Sequence, residues 1–214
     1  MNDIINQILS SHIAEAIPSD SKFRLPELRY VMEMLLNHDA GTSWVTEFEQ
    51  RFAKRMGVAH AIACNSGTSG IHAALFAAGV GDGDEVIMPA LTVIMDAYAA
   101  IHLGATPVFV DVDEKTHVIS VEDIARKITP RTKAIITVSW EGLSCDMDPI
   151  MELAKGKGIK VIDDSARTVL GRYKGRLAGT IADLSVFSFE AKKHITCGGE
   201  GGICLLYTSD AADE

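Results

Sequence analysis

No stretch of this chain holds about 18 consecutive apolar residues, so nothing in it is expected to span a membrane. Positive charge is not in excess. The net charge is −9, which disfavours non-specific binding to nucleic acid or acidic membrane, because those surfaces repel a net anion. A local basic pocket for a phosphate is not excluded. Cysteine is sparse. The four residues Cys64, Cys145, Cys197 and Cys204 form no CxxC pair and no zinc spacing, so they read as free thiols of a reducing cytoplasm. The N-terminus carries an early acid and no long apolar core, so it does not read as a signal peptide.

What is present fits a globular domain. The 214 residues are 47% hydrophobic and 23% charged, enough for one good-sized core and unlike a disordered chain. Residues 1–22 read as an amphipathic helical arm, with Ile4, Ile5, Ile8 and Leu9 at helical spacing before Pro18. Helices are expected over 26–38 and 45–57, the second capped by Gly57. From residue 60 a rhythm begins. Short β-branched runs occur at 60–65, 84–89, 106–112, 133–138, 160–165 and 182–189, and helical patterns fill most of the gaps. Runs with little alternation imply strands buried on both faces. Their alternation with helices predicts an α/β fold, a mostly parallel sheet sandwiched by helices.

Ligands in such sheets bind at the carboxyl ends of the strands. That rule selects NSGTSG (65–70), PALT (89–92), IDDSAR (162–167) and FSFEAKKH (187–194). In the first, Gly67 permits close backbone approach, and the amides and hydroxyls of Thr68 and Ser69 suit an anion at a helix start; a plain N-cap from Ser66 or Thr68 reads equally well. GVGDGDEV (79–86) imitates a dinucleotide fingerprint but precedes a strand, so it reads as a turn. In the third, Asp164 is placed to meet a cationic ring nitrogen, or the two aspartates simply start a turn. No histidine lies near them to suggest a metal. In the fourth, a lysine beyond the FSF strand presents an amine at the ligand edge, although two solvated lysines remain the plainer reading of that stretch alone. A phosphate cradle, a carboxylate for a pyridine nitrogen and a lysine are together what pyridoxal phosphate asks of a protein.

At this point the chain resembles the DegT/StrS-type sugar aminotransferases, which are pyridoxal-phosphate enzymes of the aspartate aminotransferase fold. The resemblance runs from about residue 24 to 203. It rests on FEQRFAKRMG, CNSGTSGIHAAL, GDEVIMPALT, GATPVFVDVD, ITPRTKAIITV, VIDDSA, GRYKGRLAGTIAD and FSFEAKKHITCGGEGG. It implies that Lys193, not Lys192, carries the cofactor as a Schiff base. It also implies that Gly67, Thr68, the amide of Ser69 and Ser188 hold the phosphate, and that Asp164 pairs with the ring nitrogen. The implied reaction is transamination of a keto-sugar, commonly nucleotide-linked, by a donor such as glutamate or glutamine, in a cytoplasmic homodimer. Sugar dehydration or elimination on the same scaffold is one alternative; a non-catalytic homologue that binds nucleotide sugars is another. Lys193 favours transamination over those relatives in which histidine replaces the lysine.

Two positions depart from the family pattern. Arg167 stands where glutamine or histidine is usual, and a pairing with Asp164 would weaken the grip on the ring nitrogen. Val93 stands where an aromatic often stacks on the ring, and offers less stacking energy. The resemblance also implies a second, C-terminal domain beyond this chain. Residues 23–203 are therefore expected to be an incomplete cofactor-binding domain whose activity alone is open. CLLYTSDAADE (204–214) matches no family sequence. It reads as a translated sequencing adapter, so a native sequence is expected to about Ile203.

Overall fold

The computed structural model describes residues 5, 6, 9, 17, 18, 21, 23–36 and 42–206. The expected arm of residues 1–22 lies largely outside them, as do residues 207–214 of the expected non-native tail. The chain divides into two compact units, Met1–Phe48 and Glu49–Glu214. In the first, helix α1 (Leu25–Leu36) carries an Arg29–Glu33 ion pair at 2.8 Å, one helical turn apart. Its Tyr30 ring meets Trp44 edge-on at 5.9 Å. Trp44 belongs to α2 (Thr42–Met56), which the division between the units crosses. Gly57 follows at φ +72° and donates to the Ala53 carbonyl at 2.8 Å, which ends α2 where the left-handed backbone favours glycine.

The second unit is built on a seven-stranded sheet. Its strands are β1 (His60–Cys64), β2 (Glu85–Pro89), β3 (Thr106–Val110), β4 (Thr132–Val138), β5 (Lys160–Asp164), β8 (Leu184–Ser188) and β9 (Gly202–Leu206), in the order β1-β9-β8-β5-β4-β2-β3. The strands from β8 to β3 run parallel, and β9 lies antiparallel to both β1 and β8. The remaining pair, β6 (Arg172–Tyr173) and β7 (Arg176–Leu177), forms a small hairpin. The six expected strands therefore stand. Strand β9 was not expected, and it includes Cys204, Leu205 and Leu206.

Four helices cover the sheet: α3 (Gly67–Ala77), α4 (Ile94–His102), α5 (Val121–Lys127) and α6 (Met147–Ala154). Alternate residues of each strand feed two cores. Val86, Met88, Ile136, Val138, Ile162 and Val186 pack with Ile71, Ala74, Ala97 and Ala100 of α3 and α4. Ile87, Ile135 and Val161 turn the other way, onto Ile124 of α5 and Met147 and Ile150 of α6. Period-two alternation with both faces covered explains why β2 and β8 are buried at every position. At the β9 side, Phe52 from the last turns of α2 meets Phe187 at 5.5 Å and Phe189 at 5.8 Å.

Candidate functional site

Parallel strands deliver their last residues to one edge, and the candidate residues gather there. Asp164 ends β5, opposite Val186 of β8, and Ser188 ends β8. Asp164 is on the α3–α4 face with Ile162, whereas Asp163 points to the opposite face. Lys193 follows β8 in a turn in which its N–H donates to the Glu190 carbonyl at 2.9 Å. It is half-buried, whereas Lys192 and His194 are exposed. Val93, Asp164, Arg167 and Lys193 line one hollow with Val138 and Trp140. The two adjacent lysines are thus distinguished by placement. A larger groove beside α6 is bounded by Asp148, Lys155, Arg176 and Asp183, and its charges pair with one another and with neighbours, as in Lys174–Asp148 at 2.9 Å and Lys160–Asp183 at 3.2 Å. It lies away from the strand ends.

The anion-binding candidate begins α3. Ser66 is the N-cap, in extended backbone, and its hydroxyl oxygen accepts from the Ser69 N–H at 3.2 Å. The capping reading of this stretch is therefore present in the structure, and it occupies the Ser69 amide. The N–H groups of Gly67 and Thr68 remain in the first turn, where a helix supplies no acceptor. A carbon added at Gly67 would sit 3.0 Å from Ser188 Cβ, so the helix start and the end of β8 are in close contact. Gly202 makes a second close approach. A carbon there would lie 2.6 Å from the Ser66 carbonyl carbon, so β9 seats directly against this turn.

The carboxylates at the end of β5 differ. Asp163 is 1% exposed and accepts from the Thr137 hydroxyl at 3.0 Å and the Ser165 hydroxyl at 2.8 Å. Burial nonetheless raises its pKa above the usual carboxylate range. Asp164 is 5% exposed and accepts from the Ala166 N–H at 3.0 Å. Burial pushes its pKa up to about 6, with Asp163 adding to the rise and the Ala166 N–H, Lys193 and Arg167 opposing it. An acid poised in this way takes a cationic partner readily.

Arg167 does not form the ion pair expected with Asp164. Among the described residues its guanidinium instead faces the Trp140 ring, 5.6 Å from the centroid. Arg167 therefore acts on Asp164 through its charge alone, without direct pairing. Val93 is the N-cap of α4 and forms part of the wall of the hollow. Sequence reasoning missed Trp140, which reaches the site only through tertiary packing. It also missed Asp96, a fully buried acid on α4 that accepts from the Thr92 hydroxyl. Its signal was an acid set within the apolar helix VIMDAYAAI. Among the described residues no cluster of three or more His, Cys, Asp or Glu side chains is arranged to hold a metal.

The model of the DegT/DnrJ/EryC1/StrS aminotransferase family matches residues 24–214. The chain belongs to this family. A GDP-perosamine synthase of Caulobacter vibrioides is 44% identical over 193 residues, covering 87% of this chain and 50% of that protein. An aminotransferase from Psychrobacter cryohalolentis superposes with a TM-score of 0.83 at 39% identity, over 90% of this chain and 49% of its own. A Streptococcus pneumoniae protein assigned as a sugar aminotransferase, solved in its PLP-form, gives 0.83 at 31% identity, over 92% of this chain and 54% of its own. The chain spans about half the length of the curated relatives it matches. The likeness extends to the mostly parallel sheet and its helices, so the expected fold class stands.

Proposed function

We propose that this chain is the cofactor-binding portion of a pyridoxal-phosphate-dependent aminotransferase that aminates a keto-sugar. The substrate is a nucleotide-linked sugar and the donor is glutamate or glutamine. The observation that carries this reading is that Lys193 and Asp164 line one hollow, with the Gly67–Thr68 amides and the Ser188 hydroxyl at neighbouring strand ends. The residues fit the cofactor in chemistry. The close Gly67–Ser188 packing puts amide and hydroxyl donors together for a phosphate, and a buried carboxylate stands ready for a ring cation. When bound, the cofactor supplies an electron sink and a carbon that carries the amino group between donor and acceptor.

The roles of the protein groups follow from their chemistry. Gly67, Thr68 and Ser188 hold the phosphate and so fix the ring's position. Asp164, as a carboxylate, keeps the ring nitrogen protonated. Val93, Arg167 and Trp140 bound the hollow that would receive the ring. Lys193 anchors the cofactor and then moves a proton from the donor's α-carbon, acting as general base and afterwards as general acid. The names of the relatives, perosamine synthases and a sugar 3-aminotransferase, support a nucleotide-linked sugar and make a GDP-linked keto-sugar the first substrate to test.

A cytoplasmic homodimer belongs to the same proposal. No helix among the described residues is long and apolar enough to cross a membrane. Ile94, Tyr98 and Ile101 form an exposed stripe at helical spacing on α4 that suits a second copy. The test is incubation of the full-length protein with pyridoxal phosphate, glutamate and a GDP-linked 4-keto sugar, with mass analysis of the sugar. An amino sugar supports the reading. A deoxy or dehydrated sugar without nitrogen points to elimination, and binding without turnover points to a non-catalytic homologue.

A further inference from the structure

The buried acid on α4 does not line the hollow. Asp96 is 0% exposed, one carboxyl oxygen accepts from the Thr92 hydroxyl, and the other has no hydrogen-bond partner. An unsatisfied buried oxygen is costly, and a buried unpaired charge costs more. Its position is informative. The Asp96 N–H donates to the Val93 carbonyl at 3.2 Å, so Asp96 follows Val93 by one turn. Val93 lines the hollow, and Ala97 and Ala100 of the same stripe pack into the sheet core with Val138 and Ile162. That stripe faces the side of the sheet on which Asp164 ends β5. Two acids are therefore buried on the same side of the sheet, near enough for the charge of one to act on the other.

We propose that Asp96 is a positioning residue for Asp164: the pair keeps one proton, carried by Asp96, so that a single negative charge, on Asp164, faces the hollow. This deepens the proposed role of Asp164 and rests on it. One charge matches one ring cation, whereas two ionised acids in that space would repel each other and admit water. The electrostatics agree with the geometry. Burial, then the charge of Asp164, push the pKa of Asp96 up to about 8, against the opposing Thr92 hydrogen bond. Other charged groups bear on the pair through Asp164: Asp163 raises its proton affinity, and Lys193 and Arg167 lower it. From α3, which packs beside α4, the titratable side chain is His72, and it faces His102 at 6.5 Å in the last turn of α4. On β2, Glu85 pairs with Arg131 at the opposite end of the strand.

Infrared spectroscopy of the cofactor-free full-length protein with carbon-13-labelled aspartate tests this, and stays readable if the cofactor assignment fails. The expected result is a protonated carboxylic acid at pH 7 that titrates away around pH 8 and is missing in Asp96→Asn. In Asp164→Asn the midpoint should fall by at least about one unit, a tenfold change in proton affinity. Should Asp96→Asn fail to fold, Thr92→Val replaces it and should move the midpoint up, because a donor to the carboxylate is lost. A purely structural Asp96 would not shift in Asp164→Asn. No protonated acid at pH 7, or a midpoint indifferent to Asp164→Asn, overturns the proposal.

Discussion

Lys193 and Lys192 are adjacent in sequence, yet one lines the hollow and the other is exposed. Lys193→Ala is accordingly expected to lower the turnover of the full-length enzyme by at least about a hundredfold, the scale of a lost general base, while Lys192→Ala stays near wild type. Steady-state assays of the two variants decide this, and equal losses would contradict it. Asp164→Asn keeps the shape and removes the charge. Cofactor affinity should fall at least about tenfold, or about 1.4 kcal/mol, in an absorbance titration. Arg167 yields a different lesson. Its position three residues after Asp164 suggested an ion pair, but the Trp140 ring offers the guanidinium a flat, less solvated contact instead. Sequence proximity did not determine its partner, because Trp140 follows β4, more than twenty residues earlier.

The strands show how far the sequence could be read. The runs at 84–89, 133–138 and 182–189 were legible because β2, β4 and β8 are covered on both faces and so have few polar positions. Strand β9 was not legible, since it opens on glycine and its antiparallel insertion between β1 and β8 is a long-range choice. The hairpin strands β6 and β7 have two residues each, too few to show a period. At the site, Asp164 and the Gly67 turn could be named because each ends or follows a strand, and Lys193 and Ser188 through the family resemblance, whereas Asp96 was hidden inside an apolar helix. The glycine run after Lys193 gains a physical reason from Gly202. An added carbon there would lie 2.6 Å from the backbone of Ser66, which neither β9 nor the capped helix start can readily yield. Gly202→Ala is expected to destabilise the fold by about 1–3 kcal/mol, the scale of overpacking, and to weaken cofactor binding through the displaced turn. A thermal melt and a cofactor titration that both match wild type would contradict this.

For the molecule as a whole, the sheet is a partition: apolar cores fill both faces, and ionisable groups collect at its ends. The buried acids set a pH dependence. Burial raises the pKa of Asp96 to about 8 and of Asp164 to about 6, and raises that of Asp163 too. The folded state thus binds more protons than the unfolded chain, and stability from these groups is present at low pH and lost as pH rises through the folded values. Glu85 and Asp123 act oppositely, their pKa values lowered first by hydrogen bonds from Thr129 and the Asp111 N–H, so their contribution is lost in acid. The melting temperature of the cofactor-free protein is therefore expected to fall between about pH 5 and pH 8, and Asp96→Asn should flatten that fall. A melting temperature that rises across this interval would contradict the assignment. The central claim concerns a single amine. Borohydride trapping of the full-length protein loaded with pyridoxal phosphate, followed by peptide mass mapping, should place the reduced cofactor on Lys193; a label on Lys192, or on no lysine, would contradict it.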